Sequence, residues 1–115
     1  MAQIDNYDWL NLIPSGWIEI GRTMIEECEA IYPEWEICDL KEKWGQLRCY
    51  DNGVPSTLRE QVDEILDKYE KISGQTCNIC GAPATKLSSG WILPFCDDCA
   101  AERPNMVFKS INNGN

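Results

Sequence analysis

Apolar residues recur every three or four positions in two stretches of the chain, which predicts two amphipathic helices. The first covers residues 15–32 and has an apolar stripe of Trp17, Ile20, Met24, Cys28 and Ile31. Ser15 is placed to cap this helix, and Pro33 to end it. The second begins at a capping box, Thr57-Leu-Arg-Glu60, and ends at Gly74. Its stripe is Leu58, Val62, Ile65, Tyr69 and Ile72.

The segment between these helices alternates apolar and polar residues, which predicts two short antiparallel strands. They lie within residues 35–40 and 46–50 and join through the Gly45 region, with a turn signal at 51–53. Leu47 and Cys49 share one face of the second strand, because side chains alternate along a strand. Residues 1–14 show neither period, so we expect an extended lead-in that packs on the body through Trp9, Leu12 and Ile13.

The C-terminal third of the chain carries two Cys-x-x-Cys pairs separated by fifteen residues: Cys77, Cys80, Cys96 and Cys99. This spacing is typical of a four-thiolate zinc site. A thioredoxin-like redox site needs one pair in a βαβ framework, whereas this chain has two pairs, and Asp97 and Asp98 between the second pair disfavour a free thiolate. A catalytic zinc keeps an open position, which four cysteines and no histidine do not provide. We therefore predict a structural Zn²⁺ that stabilises this part of the fold.

The residues around the cysteines predict a knuckle, a hairpin and a short helix. Gly81 suits the tight turn after the first pair. Residues 84–87 and 91–95 make plausible strands around the turn at 88–90, and a short helix follows Cys96 and ends before Pro104. That order is a treble clef; two knuckles without the helix would be a zinc ribbon.

These elements predict an α+β fold: helix, short antiparallel sheet, helix, then a treble-clef or ribbon-like four-cysteine zinc module. We divide the chain into an acidic α-β-β-α body (1–73), a zinc module packed on the same body (74–109) and a flexible tail (110–115), within one compact domain. The three remaining cysteines are interpreted as small buried hydrophobic residues and not as a second metal site: Cys28, Cys38 and Cys49.

Charge is distributed unevenly over the 115 residues, whose net charge is −9. Residues 1–73 hold sixteen acids and seven bases, which accounts for all of it, while residues 74–115 hold three of each. Such a surface disfavours nucleic acid and membranes and attracts basic partners. The acidic opening residues do not resemble a signal peptide, and no apolar stretch approaches the ~20 residues of a membrane span, so we expect a cytoplasmic protein. Without histidine, a phosphate-binding loop or a Gly-x-Ser-x-Gly motif, we expect no enzyme.

The segment Lys41-Glu-Lys-Trp-Gly-Gln-Leu-Arg48, the helix after it and the run Thr76-Cys-Asn-Ile-Cys-Gly-Ala-Pro83 resemble a known group. In small phage and prophage proteins of uncharacterised role, a KEKxGxLR segment precedes an amphipathic helix and a Cys-x-x-Cys-Gly zinc finger. The similarity covers roughly residues 35–100 and supplies no catalytic residues. It implies a viral setting, in which a small acidic protein acts by binding a host protein in the host cytoplasm.

The leading functional hypothesis is an inhibitor or adaptor that binds a host protein, such as a defence or nucleic-acid-handling enzyme. Its candidate contact residues are three glutamates of the first helix and four residues of the KEKxGxLR segment: Glu26, Glu27, Glu29, Lys41, Lys43, Trp44 and Arg48. Trp44 has two interpretations, a core residue at a strand turn, which we favour, or an exposed anchor. The alternative function is nucleic-acid binding by the zinc module through Lys86, Arg103 and Lys109, which the net charge disfavours.

Overall fold

The computed structural model describes residues 5–111 and has the mixed helix and sheet architecture expected from the sequence. The helices are α1 (Ile18–Ile31), α2 (Ser56–Gly74) and α3 (Asp97–Ala101). The strands are β1 (Glu36–Lys43), β2 (Gln46–Asn52), β3 (Lys86–Ser88), β4 (Pro94–Phe95) and β5 (Phe108–Ser110). β1 and β2 form a two-stranded sheet, and β4-β3-β5 is the order of a three-stranded one. The predicted α+β class is confirmed.

The residues before α1 form two 3₁₀ turns, Asn6–Leu12 and Ser15–Trp17, so the predicted extended lead-in is wrong for the described residues. The Asp5 carboxylate accepts a hydrogen bond from the Tyr7 N–H and starts the first turn. The buried Asn6 amide contacts the Trp35 carbonyl and the Ile37 N–H, which ties this turn to β1. Residues 1–4 of the predicted lead-in lie outside the described part.

The start of α1 also differs from the expected one. Trp17 occupies the N-cap position, and the Ser15 hydroxyl donates to the Ile79 carbonyl 64 residues away instead of capping the helix. The apolar stripe nevertheless packs as expected, since Trp17, Met24 and Cys28 are fully buried. Leu12 is 69% exposed and does not pack on the body.

The β1–β2 hairpin has the predicted position and ends in a two-residue turn, Trp44-Gly45, between the paired residues Lys43 and Gln46. Both turn residues have positive φ, 58° and 81°, as a type I′ turn requires. An irregularity in the register lies between Ile37 and Asp39, where Cys38 is the extra residue.

α2 begins at Ser56 directly after Pro55, without a side-chain cap, so the predicted capping box is wrong. Pro55 supplies the extended entry and its carbonyl accepts from the Leu58 N–H. The helix packs on α1 and β2. Val62 and Tyr69 are buried, while the last residue of the predicted stripe, Ile72, is 40% exposed. The buried Ser73 hydroxyl takes part in this packing by accepting from the Leu47 N–H.

The C-terminal sheet contains a strand that the sequence analysis missed. β3 pairs with β4 as expected, but β5 adds to the other edge of β3, with Ser110 opposite Lys86. Phe108 of β5 packs edge-on against Phe95, with ring centroids 5.1 Å apart. Ser110 therefore belongs to a strand and not to the predicted tail, whose residues 112–115 lie outside the described part. A three-residue strand carries too little alternation to be recognised.

The three cysteines outside the two pairs have different environments. Cys28 is fully buried in the body core and Cys49 is half-buried against it, as expected for small hydrophobic residues. Burial raises the pKa of the Cys28 thiol to about 12 and raises that of Cys49 further. Cys38 is exposed at the irregularity of β1, so the prediction that it is buried is wrong.

Candidate metal centre

The first cysteine pair lies on a tight backbone knuckle. The Cys77 N–H donates to the Ala82 carbonyl at 2.7 Å, and the Gly81 N–H donates back to the Cys77 carbonyl at 3.0 Å. Gly81 has a φ of 85°, a conformation that glycine adopts without steric cost. An isolated bridge between Thr76 and Pro83 closes the base of the loop. The turn thus brings Cys77 and Cys80 to the same side, as the sequence predicted.

The second pair lies at the start of α3. Cys96 is the N-cap residue, and its sulfur accepts a hydrogen bond from the Cys99 N–H at 3.4 Å. Asp97, between the two cysteines, is held away from them by Thr85 and Lys86, each 2.6 Å from its Oδ1. The module therefore has the predicted order of knuckle, hairpin and helix.

The four sulfur atoms meet in one cluster, all within 4.8 Å of one another, with Cys80 and Cys96 only 3.6 Å apart. A tetrahedral zinc site with Zn–S bonds of about 2.3 Å needs sulfur pairs about 3.8 Å apart. Cys77, Cys96 and Cys99 are buried and Cys80 is exposed. The four side chains can therefore close around one metal ion with a shift of less than about 1 Å per sulfur.

Backbone N–H groups favour the thiolate form of Cys77, which is the form that binds a metal. Burial opposes its ionisation, but hydrogen bonds from the N–H groups of Cys80, Cys96 and Ile79 outweigh this and lower its pKa to about 6. Burial and the neighbouring sulfurs raise the pKa of Cys99 instead. Four thiolates packed together repel one another, and a divalent cation among them would offset part of that repulsion.

The knuckle is docked on the body by the 3₁₀ turn that precedes α1. The Gly16 N–H donates to the Asn78 carbonyl at 2.8 Å, and the Trp17 indole N–H donates to the Thr76 carbonyl at 3.0 Å. A Cβ at Gly16 would lie 2.1 Å from the Cys77 carbonyl oxygen, so the two backbones touch. The division into a body and a zinc module stays a prediction, but these bonds join its two parts.

The three glutamates proposed as contact residues all lie on α1 and all have partners within the chain. Glu26 pairs with Arg22, which also pairs with Glu19. Glu27 accepts from Lys68 and from the Tyr69 hydroxyl, and the Tyr69 bond is the leading cause of its lowered pKa. Glu29 accepts from the Asn6 amide at 2.9 Å. Part of their charge is therefore balanced inside the protein.

Three of the four proposed residues of the KEKxGxLR segment share one face of the β1–β2 hairpin, and the fourth, Trp44, lies at its tip. Lys41 is paired with Arg48 across the two strands, and Lys43 lies two residues further along β1. Lys41 pairs with Asp39 and lies 5.7 Å from the Tyr50 ring centroid, and Arg48 lies 3.5 Å from the Glu70 carboxylate. Lys43 is exposed. Trp44 is 69% exposed, so the core interpretation that we favoured is wrong, while the anchor role stays a prediction.

The three bases proposed to touch phosphates do not share one face of the C-terminal sheet, because Lys109 lies opposite Leu87 and so on the other face from Lys86. Lys86 pairs with Asp97. Arg103 donates to the Cys99 carbonyl and lies over the Phe95 ring. Lys109 is exposed on β5. Two of the three are thus used to support the module itself.

The sequence analysis did not predict the cleft that lies between the two hairpins. Trp44 at the tip of β1–β2 and Trp91 in the β3–β4 loop are 69% and 74% exposed, and both line one open cleft of about 300 Å³. The other lining residues are Glu42, Lys43, Gly90 and Ile92. A tryptophan beside the turn glycine of each predicted hairpin was the available signal, but only the fold brings the two tips together.

Comparison of the chain with models of protein families, with curated proteins and with solved structures finds no match. Within residues 5–111, no helix has the length and apolarity needed to cross a membrane.

Proposed function

We propose that this protein is a non-catalytic binding protein whose C-terminal module is folded around one structural Zn²⁺. Cys77, Cys80, Cys96 and Cys99 would hold the ion, and thiolates are the ligands that structural zinc sites favour. Four protein ligands leave no position for a water or a substrate, and three of the four are buried. The metal would therefore supply stability and not chemistry.

The observation that carries the binding function is the pair of exposed tryptophans, Trp44 and Trp91, on one cleft. Large aromatic side chains dominate the energetics of protein interfaces when they become buried. Both indoles sit on hairpin loops whose strands belong to the scaffold, so little ordering is needed on binding. In the viral setting that the phage-type resemblance implies, the partner is a host protein, and the chain acts as its inhibitor or adaptor.

The paired glutamates shift the expected contact surface. An acidic surface that occupies the DNA-binding groove of a nucleic-acid-handling enzyme would need free carboxylates. Glu27 and Glu29 are instead hydrogen-bonded within the chain. We therefore place the contact at the hairpin cleft, with the net charge of −9 serving long-range attraction to a basic partner surface.

The test is capture of a partner from nuclease-treated host lysate, followed by reconstitution of the complex from two purified proteins. The metal-loaded wild type is compared with the double variant Trp44→Asn/Trp91→Ser and with Tyr50→Ser, which removes a half-exposed aromatic of the same hairpin outside the cleft. We expect a stoichiometric complex for the wild type and for Tyr50→Ser, and at least tenfold weaker binding for the double variant.

Recovery of nucleic acid alone, lost after nuclease treatment, would contradict this proposal and favour the nucleic-acid alternative. Exposed tryptophans also stack on unpaired bases, so a single-stranded oligonucleotide is titrated in parallel. Metal analysis of the purified chain is expected to find one zinc per molecule.

A further inference from the structure

The cleft between the hairpins contains a carboxylate whose position is fixed from two sides. Glu42 accepts a hydrogen bond from the Trp91 indole N–H through Oε1 and another from the Gly45 N–H through Oε2, each 2.9 Å long. Gly45 itself touches Ile92 of the opposite loop, since a Cβ there would lie 3.1 Å from its side chain. The two loops thus form one preorganised wall with a negative charge in it.

Trp44 adopts a backbone conformation that bulky residues avoid. Its φ of 58° lies in the left-handed region, and among the described residues it is the one non-glycine with a positive φ. That conformation costs roughly 1–2 kcal/mol in an L-residue, and asparagine is the usual residue at this position of a type I′ turn. The indole is not buried in return, because it is 69% exposed. Neither the turn geometry nor packing within the chain accounts for a tryptophan at this position. Its role is therefore sought in a contact with another molecule.

Two indoles and a carboxylate are the groups that bind an organic cation. The face of an indole attracts an ammonium or guanidinium group more strongly than other aromatic rings do. A carboxylate that already accepts two hydrogen bonds keeps lone pairs for a further donor. At about 300 Å³ the cleft is at the lower end of small-molecule sites and suits a single long side chain.

We propose that the cleft binds a lysine or arginine side chain from a basic segment of the partner protein, with the cation against Trp44 and Trp91 and next to the Glu42 carboxylate. This inference rests on the proposed binding function and specifies the chemistry of its partner. The net charge of −9 favours such a segment. Lys43 also lines the cleft, and its positive charge would repel a bound cation. Strand alternation, however, directs its side chain to the face opposite Glu42.

The first experiment titrates the isotope-labelled, zinc-loaded protein with short Gly-Ser peptides that differ at one pair of positions. The peptides carry arginine, lysine or the neutral isostere citrulline there. We expect the indole N–H signals of Trp44 and Trp91 to shift with arginine and lysine but not with citrulline, and the shifts to weaken at high salt. The three other tryptophans of the chain serve as internal controls, because they lie outside the cleft lining.

Three variants test the groups one by one. Trp44→Asn restores the usual Asn-Gly turn and so preserves the hairpin, and we expect affinity for the arginine peptide to fall about five- to thirtyfold. Glu42→Gln keeps an acceptor for Trp91 but removes the charge, and we expect at least a fivefold loss and a flatter salt dependence. Tyr50→Ser is the matched control and should bind like the wild type.

Equal binding of the citrulline peptide, or unchanged affinity in Trp44→Asn and Glu42→Gln, would overturn the cation site. The absence of any peptide-induced shift, or a shift with oligonucleotide alone, would also overturn it. A shift that depends on protein concentration without ligand would overturn it as well, because it would indicate that a second copy of the chain occupies the cleft. A reconstituted partner complex that tolerates both variants would leave the binding function standing and reject this inference. Selective binding of the arginine and lysine peptides without capture of any protein partner would support the cation site but contradict the proposed binding function.

Discussion

The two halves of this molecule differ in the size and composition of their buried cores. Among the described residues, the buried cluster of the N-terminal body has twelve members, which include Trp17, Met24, Ile25 and Trp35. The cluster of the C-terminal module has five, and three of them are the cysteines Cys77, Cys96 and Cys99. The body thus has a sizeable apolar core, whereas the module has little apolar volume apart from its candidate metal ligands. A short chain can therefore add a second, rigid surface without adding a second core.

Removal of the metal is expected to produce the largest difference in stability between the two regions. Chelation of the bound metal, or Cys96→Ser, should unfold β3, β4 and α3 while α1 and α2 stay folded, because structural zinc contributes on the order of 10 kcal/mol. Amide NMR signals from the two regions check this directly. Cys38→Ser, at an exposed cysteine outside the cluster, is the control and should change neither region. Simultaneous loss of both regions would show that the body also depends on the metal.

A core truncation in the body should produce the opposite pattern. Ile25 of α1 is fully buried in the core of the body, so Ile25→Ala should lower the free energy of unfolding of the body by about 2–5 kcal/mol. Urea unfolding followed by circular dichroism measures the change, and zinc stoichiometry should stay at one per chain. Leu12→Ala, at a residue 69% exposed, should shift stability by less than about 0.5 kcal/mol. A large effect at Leu12 would contradict the assigned packing.

The contact between the two regions can be tested at Gly16. Gly16→Ala would place a methyl group 2.1 Å from the Cys77 carbonyl oxygen and 2.8 Å from the Gly81 nitrogen, so the knuckle must move. We expect a loss of about 1–3 kcal/mol and faster zinc transfer to a chromophoric chelator. Ser15→Ala removes only the hydrogen bond to Ile79 and should cost about 1 kcal/mol. Unchanged zinc release in Gly16→Ala would mean that the module holds its metal independently of the body.

A partly buried ion pair in the body, between Arg59 and Asp51, gives a pH-dependent effect. Burial opposes ionisation of Asp51, but hydrogen bonds from Arg59 and Trp35 outweigh it and hold its pKa below the usual range. A depressed folded pKa means that this contribution is present above the unfolded value of about 3.9 and is lost as the pH falls through the folded pKa. Asp51→Asn should cost about 1–3 kcal/mol at neutral pH.

The measurement is unfolding of the wild type and Asp51→Asn in urea at several pH values. The gap in free energy of unfolding between the two should narrow below about pH 4 and close as the pH falls through the folded pKa of Asp51. Asp63→Asn removes the exposed partner of the same arginine and should cost less than about 0.5 kcal/mol at any pH. A gap that persisted in acid would show that packing, and not charge, stabilises the site.

Much of this architecture could be predicted because its signals are local. The stripes of α1 and α2, the alternation of β1 and β2 and the spacing of Cys77 and Cys80 each act within a few residues. The errors fall where a distant partner intervenes. Ser15 does not cap α1: its hydroxyl donates to the Ile79 carbonyl, and the helix begins only at Ile18. β5 pairs with the edge of β3 that β4 does not occupy.

The amino-acid sequence by itself determined the α+β class, the order from α1 through the β1–β2 hairpin to α2, and the four candidate metal ligands, since periodicity and ligand spacing are properties of the chain. Only the tertiary structure decided that Trp44 is exposed, that Glu27 and Glu29 are paired internally, and that Trp91 joins Glu42 across 49 residues. Such contacts depend on how two hairpins and a knuckle dock. No local pattern encodes that docking, because it arises from packing between segments far apart in the chain.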